Sequence, residues 1–131
     1  MELADRIRAA KRVYIIGNGG SYANAQHIAN DLVSAGIKAF TLDAASLTAT
    51  ANDFGYKEVF ARWLTAVAEA GDMLIALSGS GKSPNILAAI EAANEIGMDV
   101  APIFGAPKFD MQSAEENQIW IGHELMRALR K

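Results

Sequence analysis

Apolar positions gather into four short runs, "RVYIIG" (12–17), "IKAFTL" (37–42), "DMLIALS" (72–78) and "DVAPIFG" (99–105). The runs are mostly continuous rather than alternating, the pattern of strands buried on both faces of a parallel sheet. Between them apolar residues recur at helical spacing. Residues 21–35 carry Ala25, Ile28, Ala29, Leu32 and Val33, and residues 56–69 carry Val59, Phe60, Trp63, Leu64 and Val67. A third helix is predicted over 84–96, opening on Ser83-Pro84 and closing at Gly97; proline suits the first helical position and glycine the residue past the end. A last helix is predicted over 111–130, and the opening "MELADRIRAAKR" is charged and helical. Strands alternating with helices predict βαβ units with right-handed crossovers. The expected fold is α/β, a three-layer α/β/α sandwich on a mostly parallel, flavodoxin-like doubly wound sheet. No linker or repeat interrupts it.

Composition narrows the function. The 131 residues fit one domain. A net charge of −3 gives no reason to expect nucleic acid or an anionic membrane as partner. The absence of cysteine excludes disulfides, thiolate catalysis and cysteine-ligated zinc. No apolar run approaches the roughly 20 residues of a membrane span, and the charged start lacks a signal peptide's apolar region. A cytoplasmic chain is expected.

In open parallel sheets ligands bind beyond the carboxyl ends of the strands, where two loops stand out. The first, Gly17-Asn18-Gly19-Gly20-Ser21, leads into a helix whose free N–H groups suit an anion. A dinucleotide fingerprint needs glycine where Tyr22 stands, so that reading survives only through Asp43 as an imitation of the ribose-binding acid. The bland alternative is a glycine turn with Ser21 as helix cap. The second loop, "SGSGKS" (78–83), is not a Walker A loop, which would require glycine at Ala76. It offers the hydroxyls of Ser78, Ser80 and Ser83 beside free backbone amides, a setting suited to a phosphate monoester. Capping by Ser83 alone is again the plainer alternative. Two such loops in one small sheet strengthen the phosphate reading.

His27 and Asp31 stand four apart, hence on one helical face, a spacing that suits two ligands, an acid–base pair or a plain surface pair. His123 is the other histidine. Phe60, Trp63, Leu64 and Trp120 read as core or subunit interface, Met73 and Met98 as core, and Asn52-Asp53 ordinarily as a turn.

"GNGGSxxxAQHxAxDL", "LTATANDFGYKEVFARWL" and "GDMLIALSGSGKSPNILAAIEAANEIGMDV" together resemble the sugar isomerase (SIS) domain family. The "T-A-x-x-N-D" segment and the C-terminal "IGHEL" resemble its phosphoheptose isomerase branch, which interconverts sedoheptulose 7-phosphate and a heptose 7-phosphate. The resemblance implies a single SIS domain over 1–131 and an aldose–ketose isomerase working through an enediol. Asp31 and His123 would be catalytic. Asn18, Gly19, Gly20, Ser21, Asn52, Asp53, Ser78, Gly79, Ser80 and Ser83 would bind a phosphorylated sugar. His27, Asp31, Glu115 and His123 would hold a divalent cation, zinc being expected, with no nucleotide cofactor. It also implies a homo-oligomer, a tetramer with sites between subunits.

The sequence departs from that pattern at Asp31, where the family has glutamate, and at Glu115, where it has glutamine. Glu115 and His123 are eight residues apart, about 12 Å along a straight helix. The ends are shortened before the first strand and after "PIFG". The competing expectation is a non-catalytic SIS phosphosugar-binding module acting as a regulatory or replication-initiator-associated partner. Retention of His27, Asp31 and His123 favours the enzyme.

Overall fold

The computed structural model describes residues 1–105 and 111–130. Its elements are α1 (Leu3–Ala9), β1 (Val13–Ile16), α2 (Gly20–Ser34), β2 (Ala39–Thr41), α3 (Ala44–Phe54), a 3₁₀ turn (Tyr56–Glu58), α4 (Val59–Val67), β3 (Met73–Ser78), α5 (Pro84–Ile96), β4 (Asp99–Phe104) and α6 (Met111–Leu129). The strands form one parallel sheet in the order β2-β1-β3-β4. Val13 pairs with Ala39 on one side and Met73 on the other, and Met73 pairs with Asp99.

The central strands are buried at every position, which is why they read as unbroken apolar runs rather than alternating ones. Alternate side chains enter two cores. Val13, Ile15, Met73, Ile75 and Leu77 pack with Ala4 and Ile7 of α1, Ile28 and Leu32 of α2 and Leu125 of α6. Tyr14, Ile16, Leu74 and Ala76 pack with Phe60 and Leu64 of α4 and Ile86, Ala89 and Ala93 of α5. The expected three layers are therefore present. At the β4 edge Pro102 lacks an N–H, which only a strand with an open side tolerates. Arg6 clasps the start of that strand, donating from Nε and Nη2 to the two carboxylate oxygens of Asp99 at 3.0 and 2.6 Å.

Three expectations need correction. The 44–54 segment is a helix, so Asn52 and Asp53 lie in α3 rather than in a turn. Asp43 caps it by accepting from Ser46 N–H at 2.9 Å, and α3 buries none of its residues. The helix expected over 56–69 divides into the 3₁₀ turn and α4. Trp120, expected as core or subunit interface, is 60% exposed on α6 and so does not take the core role. Met73 and Met98 are buried as expected, and Trp63 packs edge-on against Tyr14.

Candidate functional site: a polar cradle and a histidine groove

β1 and β3 are neighbours, yet the helices that follow them, α2 and α5, cover opposite faces of the sheet. This is the topological switch point at which open α/β sheets bind ligands. Both polar loops leave their strands here. Gly17 permits a close approach, since a Cβ there would lie 2.6 Å from the Ser21 carbonyl oxygen. Gly19, at φ +56°, caps α2 in a conformation disfavoured for other residues. Ser21 is therefore inside the helix and buried, not its cap.

The loops enclose one cavity of about 50 Å³ lined by Asn18, Ser21, Leu77, Ser78, Gly79, Ser80 and Ser83. A single water needs roughly 10–15 Å³ by this kind of measure, so the space has the size of a small head group and not of a nucleoside. Ser78 Oγ accepts from Gly81 N–H and Ser80 Oγ from Lys82 N–H, both at 3.1 Å. Each hydroxyl proton then remains for an acceptor oxygen. Ser83 precedes Pro84 at the start of α5 but makes no side-chain cap bond. Its position is the expected one, while its hydroxyl is not spent on the helix.

Asn18 is held by two neighbours. Its Nδ2 donates to Asn85 Oδ1 at 2.9 Å, and its Oδ1 accepts from Asn85 Nδ2 and from the Tyr56 hydroxyl, both at 2.8 Å. Asn85 is buried on α5 and Tyr56 comes from the 3₁₀ turn.

From the cradle, α6 runs beside α2 along a polar seam. Gln118, 1% exposed, donates to Ser21 Oγ at 3.0 Å and accepts from Asn24 Nδ2 at 2.9 Å. Asn24 Nδ2 also reaches the Glu115 carbonyl at 2.9 Å. Farther along, the His27 and His123 rings meet edge to face at 6.0 Å between centroids. His27 Nε2 lies 3.3 Å from Asp31 Oδ2, one turn on. His27, Asp31 and His123 share a groove of about 370 Å³ with Met126, Arg127 and Arg130.

Glu115 does not line that groove, but it shares a neighbouring hollow of about 420 Å³ with His123, Asn24 and Trp120. A Cβ on Gly20 would overlap its carboxylate, which therefore lies at the start of α2. The cause is the helical rise, since eight residues of a straight α6 separate Glu115 and His123 by about 12 Å. Among the described residues no three His, Asp or Glu side chains form a group able to hold a metal ion. The His27, Asp31, Glu115 and His123 set expected for zinc is thus not assembled within one chain.

Asn52 and Asp53 are exposed on α3, where Asn52 Nδ2 donates to Asp53 Oδ1 at 3.2 Å, and neither lines the cavity. Tyr22 donates to the Leu42 carbonyl at 2.6 Å. Burial, then the nearby Asp43 charge, raises its phenol above the ordinary value. Asp43 is held below the usual carboxylate range chiefly by the Ser46 N–H. It is occupied as a helix cap, which removes the residue on which the dinucleotide reading rested.

Sequence reasoning missed Asn24, Tyr56, Asn85 and Gln118. The "S-P-N" start of α5 offered a signal for Asn85, because an asparagine in a helix's first turn beside a polar loop stands close to whatever the loop binds. The other three carry no local signature.

The arrangement is an open α/β domain with two polar loops at its switch point, and the chain belongs to the SIS domain family, whose model matches residues 2–105. It is 43% identical over 112 residues to phosphoheptose isomerase of Campylobacter concisus, covering 79% of this chain and 59% of that protein. It is 35% identical over 144 aligned positions to that of Paramagnetospirillum magneticum, covering 92% and 75%. The solved phosphoheptose isomerase of Neisseria gonorrhoeae superposes with a TM-score of 0.89 at 28% identity, covering 97% of this chain and 80% of that one. The chain spans 59% and 57% of the length of two of the curated relatives it matches.

Proposed function

We propose that this chain is an aldose–ketose isomerase acting on a phosphorylated sugar, sedoheptulose 7-phosphate being the substrate its relatives imply. The observation that carries the reading is the union of the two loops into one small cavity lined by Asn18, Ser21, Ser78, Gly79, Ser80 and Ser83. Its hydroxyls and amides suit the phosphate. In a seven-carbon ketose 7-phosphate the phosphate and the reacting C1 and C2 lie at opposite ends. His27 and Asp31 correspondingly lie six and ten residues beyond Ser21, roughly 9 and 15 Å along α2.

In this reading the Asp31 carboxylate removes the proton from C1 of the ketose and returns it to C2 through the enediol. His123 moves the accompanying proton between the two oxygens, the exchange such an isomerisation requires. His27 holds the Asp31 carboxylate from one side at 3.3 Å. Among the described residues His27, Asp31, Glu115 and His123 do not gather into one group, and no step is routed through a metal. The presence of the acid–base trio counts against the purely binding module.

A homo-oligomer, a tetramer by family resemblance, accompanies the reading. Trp120 and Val33 offer apolar surface on α6 and α2, and Phe40 offers it on edge strand β2. The deciding experiment supplies sedoheptulose 7-phosphate to the purified protein and follows formation of the aldose by NMR. Turnover that disappears with Asp31→Asn supports the reading. Binding of the sugar phosphate without turnover transfers the protein to the binding-module class.

A further inference from the structure

We infer that Tyr56 and Asn85 are positioning residues that lock the Asn18 carboxamide as a donor, so that this wall of the cradle selects ligands presenting acceptor oxygens. The inference rests on the phosphate reading of the cavity and deepens it by naming what orients one of its walls. The Asn18 Oδ1 takes two hydrogen bonds, from Asn85 Nδ2 and from Tyr56 Oη, both at 2.8 Å. Two is the full capacity of an amide oxygen. On the other side of the carboxamide one N–H goes to Asn85 Oδ1 at 2.9 Å. The second N–H has no bond among the described residues, and Asn18 is part of the cavity lining.

An asparagine amide ordinarily presents either an acceptor or a donor by turning over, and so serves either kind of ligand group. Here a turn would bring Nδ2 to both donors of the clamp. The opposite sense requires a concerted change: Asn85 must turn with Asn18, and the Tyr56 hydroxyl must pass from donor to acceptor with its proton handed to solvent. The two partners act from different elements. Asn85 is 5% exposed in the first turn of α5 and is itself fixed by packing. Tyr56 is 48% exposed and stands on the 3₁₀ turn that joins α3 to α4. Its hydroxyl therefore contributes little to the core while filling the last lone pair of Asn18. A phosphate, which offers only acceptor oxygens when fully ionised, meets on this wall an N–H and no competing oxygen. A ligand that needs to donate here finds no acceptor side chain at Asn18.

Tyr56→Phe and Asn85→Asp test this by calorimetric titration with inorganic phosphate, accompanied by NMR of the Asn18 side-chain NH₂ group. In Tyr56→Phe the affinity for phosphate is expected to fall roughly three- to ten-fold, the scale of one lost orienting hydrogen bond. The melting temperature should stay unchanged. The Asn18 NH₂ protons should shift and exchange faster with solvent, a signature that a merely structural role of the ring would not produce. Asn85→Asp keeps an acceptor for Asn18 Nδ2, removes the donor to Oδ1 and adds negative charge, so its affinity should fall further than that of Tyr56→Phe. Unchanged phosphate affinity and unmoved Asn18 signals in Tyr56→Phe overturn the inference and leave the phosphate reading standing. Failure of the unmutated protein to bind phosphate or sedoheptulose 7-phosphate overturns both.

Discussion

The Gln118 amide donates to the Ser21 hydroxyl at 3.0 Å across 97 residues of sequence, fastening α6 to α2 beside the cradle. The same side chain accepts from Asn24, so both ends of a buried amide are satisfied. Gln118→Leu keeps the bulk and strands two polar partners. Leaving buried groups unpaired costs about 1–3 kcal/mol, which for a domain of this size lowers the melting temperature by roughly 5–10 °C. Thermal unfolding checks it. Because Ser21 lines the cavity, phosphate affinity should fall in the same variant.

Ser83 separates binding from stability. It stands at the N-terminus of α5 without making a cap bond, so its hydroxyl is worth little to the helix. Ser83→Ala should leave the melting temperature within about 1 °C, since no hydrogen bond is lost. Affinity for sedoheptulose 7-phosphate should fall roughly ten-fold or more, the scale of a hydrogen bond to a charged group. A variant that melts earlier but binds normally would show Ser83 to be a cap after all.

The fold was legible where burial and chain chemistry act locally. Strand β3 shows itself as six consecutive buried residues, and Pro84 and Gly97 bracket α5 at the observed ends. Helix α3 hid because it buries none of its residues, so no apolar stripe marked it and its threonines and "ND" pointed elsewhere. The cradle was legible because each loop carries its own glycines and serines. Its supports were not, since Tyr56 reaches Asn18 and Gln118 reaches Ser21 only after the layers pack. Glu115 and His123 show a third case, where the helical rise sets them about 12 Å apart along α6 and yet both line one hollow beside α2.

Glycines 17 and 20 should behave differently although they share a loop. A Cβ at Gly17 meets backbone atoms of Ser21 at 2.6 and 2.7 Å, and backbone inside a helix cannot yield cheaply. Gly17→Ala should destabilise the protein by about 1–3 kcal/mol or more, as overpacking does. The atoms nearest a Cβ at Gly20 are the end of the Glu115 side chain, which can rotate away. Gly20→Ala should therefore cost far less, and Glu115→Gln should not change that ranking. Denaturant midpoints of the variants decide it.

Asp99 gives the structure an acid-sensitive joint. The hydrogen bonds from Arg6, and then its charge, hold the Asp99 carboxyl below the usual range, burial opposing them in part. A carboxyl whose folded value is depressed stabilises the protein above its unfolded value of about 3.9. That contribution is lost as the pH falls through the lower folded value. The side chains are 30% and 47% exposed, so the pair is worth no more than about 1 kcal/mol. Asp99→Asn should lower the melting temperature slightly at pH 7, and the difference from the unmutated protein should vanish by the acid end of a titration below pH 4. A difference that persists there would mean that the asparagine perturbs β4 itself.

Asp31 and the cradle occupy different stretches of α2, which makes chemistry and binding separable. Asp31 stands ten residues beyond Ser21 and lines the histidine groove, not the loop cavity. Asp31→Asn preserves shape and removes the base. The rate of isomerisation should fall by about 10²–10⁴-fold, the usual contribution of a positioned acid or base, while affinity for the sugar phosphate stays within a few-fold. Asp31→Glu adds one methylene, the side chain found at this position in the phosphoheptose isomerase pattern. Its carboxylate should keep most of the activity if reach along the groove is what the reaction requires. Single-turnover kinetics with sedoheptulose 7-phosphate separates the two effects. An equal loss in Asp31→Asn and Asp31→Glu would show that the residue holds the α2–α6 groove together rather than moving a proton.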